Sequence, residues 1–154
     1  MRDFEVFDIG VVNIRTGKNV KISSSSNIYG CELGDDTFVG PFVEIQRNVK
    51  IGPRVRIQSH TFICEFVTIG CDVFIGHGVM FINDLLRDGP ARRDLSKYKE
   101  TVIGDRVSIG TNSTILPVKI CEDVVIGAGS VVTRDINFPG IYFGNPARLK
   151  TKND

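Results

Sequence analysis

Glu65 and Asn83 stand eighteen positions apart, and the chain's only two histidines, His60 and His77, stand seventeen apart. These residue types can carry group transfer to a nucleophile. A carboxylate or an imidazole takes up a proton, and a carboxamide donates hydrogen bonds to a developing oxyanion. The four cysteines, at 31, 64, 71 and 121, form no CxxC pair and no zinc-like spacing. They read as reduced structural thiols, and none has an obvious activating partner. Two histidines also fall short of a three-histidine zinc site, so no metal is expected.

A six-residue period positions these side chains. Leu33, Val39, Ile45, Ile51, Ile57, Ile63, Ile69, Ile75 and Phe81 follow one another at intervals of six, and the series resumes at Ile103, Ile109, Ile115, Ile120, Ile126, Val132 and Phe138. Thr37, Val43, Val49, Val55, Thr61, Val67, Val73 and Val79 keep a second register four places on. Neither a helix nor an alternating strand has this period. It predicts an all-β single domain over residues 1–154, a parallel β-helix with three hexads per eighteen-residue coil.

Residues 33–50 and 51–68 make two unbroken coils, and 15–32 an irregular first one with one residue missing before Leu33. Phe4, Val6, Phe7, Ile9 and Val11 suit a strand capping the open end. One residue is dropped near Pro117, and Gly140 to Arg148 read as a closing strand or turn, with room for a short helix after Pro146. Between Phe81 and Ile103 the repeat yields to one hexad plus sixteen further residues, a protruding loop over about 84–101.

Residues one coil apart stack at about 4.8 Å. Glu65 therefore lies under Asn83 and over Arg47, while Ser59 lies under His77 with His60 beside them. This register gathers carboxylate, amide, imidazoles and loop on one edge. Plainer readings stand beside it. Glu65 and Asn83 suit a solvated face, the histidines suit corners or a subunit interface, and Asn83-Asp84 suits an Asx turn.

Nineteen basic against eighteen acidic residues leave a net charge of +1, which points to neither nucleic acid nor membrane. The opening Met1-Arg2-Asp3-Phe4-Glu5 is too polar for a signal peptide, and no apolar run reaches membrane-spanning length. A soluble cytoplasmic protein is expected.

Ile126-Gly-Ala-Gly-Ser-Val-Val-Thr-Arg-Asp135 and Gly144-Asn-Pro-Ala-Arg148 resemble the closing segment of hexapeptide-repeat acyltransferases. The resemblance covers nearly the whole chain. It implies a left-handed parallel β-helix, a homotrimer with sites between subunits, and acetyl-CoA as co-substrate. Gln58-Ser-His-Thr-Phe-Ile-Cys-Glu65 and Ile75-Gly-His-Gly-Val-Met-Phe-Ile-Asn-Asp84 are more specifically similar to bacterial nucleotide-sugar N-acetyltransferases. Those enzymes acetylate the 3-amino group of dTDP-3-amino-3,6-dideoxyhexoses or UDP-2-acetamido-3-amino-glucuronate, for O-antigen and other surface polysaccharides. The catalytic histidine that hydroxyl-directed relatives carry after the strand at Val79–Ile82 is absent here. An amine tolerates that loss, because it has only its ammonium proton to shed.

The resemblance implies direct attack in a ternary complex, with Asn83 binding the sugar amine, Glu65 accepting from it, and His60 and His77 assisting. The departing thiolate can take the proton. Asp84, Arg47, Lys50, Arg54 and Arg56 are candidates for the nucleotide sugar. Gly110 and Ala128 suit close approach of pantetheine, and Arg134, Arg148 and Lys150 suit the CoA phosphates. Another small amine or hydroxyl acceptor, or a non-catalytic scaffold subunit, are the competing readings.

Overall fold

The structure, a computed structural model, describes residues 10–85, 89, 96 and 98–151. Short strands, most of two residues, alternate with tight corners and stack into three sheets of seven, six and eight strands, all parallel except the last strand of the third. Face 1 contains Glu44–Ile45, Phe62–Ile63 and Met80–Phe81; face 2 contains Glu32–Leu33, Lys50–Ile51 and Val67–Ile69; face 3 contains Phe38–Val39, Arg56–Ile57 and Phe74–Ile75. No α-helix occurs among the described residues.

The period of six arises because each two-residue strand points one side chain inward and each four-residue corner adds one more. Both registers are buried as expected, with Ile45, Ile57, Ile63, Ile75 and Val55 fully inaccessible. Four inward hydroxyls at corners are satisfied by the next coil. Ser26, Thr37, Thr61 and Ser113 donate to the carbonyls of Gly40, Gly52, Gly76 and Gly127 at 2.8–3.2 Å.

Coil length follows the strand register. Asn27 pairs with Glu44, seventeen positions on; Glu44 pairs with Phe62, eighteen on; Ser108 pairs with Val125, again seventeen on. Across the interruption Ile69 pairs with Ile103, thirty-four positions on, which is one eighteen-residue coil plus sixteen inserted residues. The insertion leaves the solenoid between faces 1 and 2, after Phe81, and returns before Thr101, already the first residue of strand Thr101–Ile103. Much of the span 84–101 lies outside the described residues.

Most of the tight corners place one residue in the left-handed region. Only some are glycine: Asn48, Arg54, His60, Phe66 and Asp72 sit there at φ between 58° and 66°. Other glycines are required by stacking instead. A Cβ on Gly52 would lie 2.6 Å from the Gly70 carbonyl oxygen, a backbone atom held by the next coil. Gly52→Ala is therefore expected to destabilise the fold by about 1–3 kcal/mol, read as a lowered urea midpoint. An unchanged midpoint would contradict the stacking.

Several expectations are corrected at the ends. Val11–Val12 is a strand of the solenoid itself, paired with Ile28 and Tyr29, and the proposed capping residues before it lie outside the described residues. Phe138 is 72% exposed and leaves the core, while Ile136 is buried and bridges to Ile120, sixteen positions back. The corner over 133–135 is short, and the Asp135 carboxylate accepts from the Lys119 amide at 2.8 Å, so the repeat reaches its next face two residues early. After Pro146 the chain forms a strand, Arg148–Leu149, antiparallel to Gly140–Phe143, rather than a helix.

Burial holds the Cys64 thiol up at about 12 and the Cys31 thiol up at about 11, so both stay protonated at neutral pH. Cys71 and Cys121 are only partly buried. Titration with a thiol reagent is expected to find those two accessible in the folded chain and the other two only after unfolding. Four equally reactive thiols would contradict this packing.

Candidate active site

The corner between faces 1 and 2 brings Arg47, Glu65 and Asn83 into one column, because the strands before them stack in register: Glu44 on Phe62, and Phe62 on Met80. Arg47 Nε lies 2.9 Å from Glu65 Oε1, and the Glu65 side chain is only 9% exposed. Its second oxygen, Oε2, is buried with no hydrogen-bond partner among the described residues. A buried carboxyl oxygen held without a partner is costly unless something binds it. Asn83 Nδ2 donates to the Glu65 carbonyl at 3.3 Å, which leaves the carboxamide's second N–H for another acceptor. Lys99 donates its amide to the Asn83 carbonyl at 3.2 Å, tying the returning insertion to this corner. Asp84 follows, half-buried, where the insertion departs.

A polar brace supports the column from the coils below. Tyr29 Oη donates to Glu44 Oε1 at 3.4 Å and Gln46 Nε2 donates to the same oxygen at 3.2 Å. Burial, and then the Glu44 charge, push the Tyr29 hydroxyl above its ordinary pKa, so it remains a donor at neutral pH.

The histidines form a separate group. Ser59 Oγ and His77 Nδ1 are 2.8 Å apart, and the His60 ring lies 4.9 Å from that of Phe42. The stacking is as expected, but the corner is different. They occupy the turn between faces 3 and 1, at the other end of strand Phe62–Ile63 from Glu65. Within one chain the expected single edge is two successive corners flanking face 1.

The basic candidates also divide. Arg47 is at the Glu65 corner. Arg54 lies between faces 2 and 3, paired to both Asp72 oxygens at 2.6 and 2.7 Å. It belongs to an exposed left-handed column running Asn19, Asp36, Arg54, Asp72, Arg106, Asp123. Hydrogen bonds from Arg54 and Arg106 hold the Asp72 and Asp123 carboxyls below the ordinary carboxylate range. Arg56 lies on face 3 in an open pocket with Lys21 and Asp36. Arg54 and Arg56 are therefore not brought to the Glu65 column.

Among the cofactor candidates, Arg134 and Arg148 line one cleft of about 230 Å³ with Tyr142 and Ala147, and Lys150 follows exposed beside it. Gly110 lies directly against Ala128, since a Cβ there would meet the Ala128 nitrogen at 2.5 Å. The need for glycine at 110 is thus explained by the coil above it.

Sequence reasoning missed Phe66 and Tyr98. Their rings pack edge to face at 6.5 Å beside a groove of about 770 Å³ that runs down face 2 past Lys50 and Asn48. The available signal was a bulky aromatic at a corner position where the coils below carry Asn48, Gly30 and Asn13.

Residues 30–65 match the family described as bacterial transferase hexapeptide (six repeats), and residues 100–134 match the hexapeptide repeat of succinyl-transferase. The chain is 32% identical over 152 residues to the bifunctional protein GlmU of Acinetobacter baumannii, which covers 97% of this chain and 30% of that protein. It therefore spans about 30% of the length of such curated relatives. AntD, an N-acyltransferase from Bacillus cereus solved with dTDP and 3-hydroxybutyryl-CoA, superposes with a TM-score of 0.74 at 25% identity, over 87% of this chain and 80% of that one. An AntD mutant in complex with dTDP-4-amino-4,6-dideoxyglucose and coenzyme A gives a TM-score of 0.71 at 26% identity, over 88% and 82% of the two chains. Hexapeptide repeats of this kind fit a left-handed β-helix. Coils, corners and both matches agree that residues 30–65 and 100–134 carry hexapeptide repeats like those of bacterial transferases.

Proposed function

We propose that this protein is an acyl-CoA-dependent N-acyltransferase that acetylates the amino group of a nucleotide-linked sugar. The observation that carries the reading is the Glu65–Asn83 corner: a buried carboxylate with one unpartnered oxygen beside a carboxamide with a spare N–H. The ligands bound to AntD on the same fold support it.

In this reading the uncharged sugar amine donates to Glu65 Oε2 while its lone pair faces the thioester carbonyl carbon of acetyl-CoA. Arg47 fixes the carboxylate from below. Attack forms the C–N bond and a tetrahedral oxyanion, and Asn83 Nδ2 stabilises that oxyanion or the adjoining sugar hydroxyl. Collapse breaks the C–S bond, and the departing thiolate takes the nitrogen's surplus proton. Holding both substrates together supplies much of the rate. CoA would lie along the later coils, with its phosphates toward Arg134, Arg148 and Lys150. In a homotrimer, the His60–His77 corner of one copy would face the Glu65–Asn83 corner of the next, which reunites the two groups.

The finer assignment is the 3-amino group of a dTDP- or UDP-sugar destined for surface polysaccharide in the cytoplasm. It rests on the segments around Glu65 and Asn83. The AntD complex with a 4-amino sugar favours a second reading, with the amine at C4. Acetylation of matched dTDP- and UDP-sugars bearing the amine at C3 or C4, with the product located by NMR, separates the two. Exclusive C4 product would overturn the finer assignment and leave the acyltransferase reading intact.

A further inference from the structure

The groove on face 2 has a volume of about 770 Å³, and the mechanism above leaves it unused. Resting on that functional reading, we propose that it holds the nucleoside diphosphate of the sugar substrate, with a pyrimidine base packed against Phe66 and Tyr98 and the diphosphate passing Lys50.

Its size, about 770 Å³, suits a ligand of nucleotide dimensions. Its position is continuous with the site, since Phe66 directly follows Glu65 and the groove descends from there toward Arg15. Arg15, Glu32, Lys50 and Thr68 lie on successive coils, so the groove is about 14 Å long at the strand spacing. A sugar held at Glu65 and Asn83 would thus trail its nucleotide downward along face 2.

The lining carries groups suited to base recognition, beside the carboxylates of Glu32 and Glu100. Phe66 and Tyr98 meet edge to face, a geometry that leaves ring faces available to a third aromatic. Asn48 and Asn13 offer carboxamides that can read the donor and acceptor edge of a pyrimidine. Arg15 is taken by Glu32, whereas Lys50 has no ion pair among the described residues, so it is the cation open to a phosphate.

Phe66 also breaks a local rule. Its φ of 66° places a bulky side chain in the left-handed region, where the corners below use Asn13, Gly30 and Asn48. Asparagine is the better choice for that backbone. Phe42 and His60 take the same conformation at another corner, so what distinguishes Phe66 is its departure from the Asn and Gly of its own column. That departure puts a ring on the lining of the groove.

The conflict supplies the test. Phe66→Asn suits the left-handed corner, so the variant is expected to keep a cooperative thermal transition and wild-type CoA binding. Calorimetric titration with free dTDP and with UDP should show affinity falling about tenfold or more for the preferred nucleotide, in proportion to a lost base-stacking contact. Lys50→Gln should weaken the same nucleotide and flatten its salt dependence. Unchanged nucleotide affinity in both variants would overturn the subsite, as would a wild-type protein that binds neither dTDP nor UDP. The two readings fail separately. Wild-type protein that acetylates an amino sugar, while both variants keep its KM for that sugar, removes the subsite alone. Protein that binds dTDP or UDP through Phe66 yet releases no thiol removes acyl transfer and leaves the subsite standing.

Discussion

Asn83→Ala is expected to lower kcat/KM for acetyl transfer about hundredfold or more, with the loss in kcat rather than in the KM for acetyl-CoA. Among the described residues the side chain makes one weak structural contact, 3.3 Å to the Glu65 carbonyl, and it sits half-buried at the mouth of the insertion. Deleting it should cost stability only about 1 kcal/mol. A donor that acts chiefly on the developing oxyanion carries a far larger kinetic share, because its hydrogen bond strengthens as charge appears. Asn83→Asp should be as inactive, since the carboxylate keeps the shape but presents an acceptor where a donor is needed. Steady-state thiol release measures both variants. Full activity in Asn83→Ala would remove this residue from the mechanism.

Phe81→Ala carries the largest expected stability loss, about 3–5 kcal/mol. Phe81 is fully buried, it is the largest such side chain, and it pairs above with Ile115 on face 1. The coils cannot collapse onto the void, because their spacing is fixed by the hydrogen bonds of every strand around it. Phe138→Ala is the control. That side chain is 72% exposed, so its loss should fall within about 0.5 kcal/mol of neutral. Both phenylalanines continue the six-residue series, so urea denaturation of the pair tests where the repeat ends. Equal losses would restore Phe138 to the core.

The middle of the solenoid was legible because every inward position is independent of its neighbours' details. An aliphatic residue at each sixth place leads to one outcome, and the sixteen-residue insertion follows from counting between Phe81 and Ile103. The far end was not legible, because its coil length is set by local hydrogen bonding. Asp135 and the Lys119 amide shorten one corner, which Phe138's hydrophobicity does not reveal. At the site, vertical relations were correct: Arg47 under Glu65, Glu65 under Asn83, and Ser59 under His77. Lateral relations were weaker. A period of six assigns residues to faces, but His60 and Glu65, five positions apart, fall at opposite ends of a short strand. The roles of Arg54 and Asp72 were hidden for a similar reason. Their pairing depends on both being left-handed corner residues on successive coils, a conformation that neither residue type announces.

In the proposed reaction an amine on a nucleotide-linked sugar attacks the acetyl thioester. Thiol release from acetyl-CoA by the purified protein, measured with dTDP- and UDP-linked amino sugars and with their amine-free counterparts, tests it most directly. The expected result is release that requires the amine and yields one N-acetylated sugar per thiol. No release with any amino sugar, together with no binding of CoA, would contradict it and leave a β-helical scaffold.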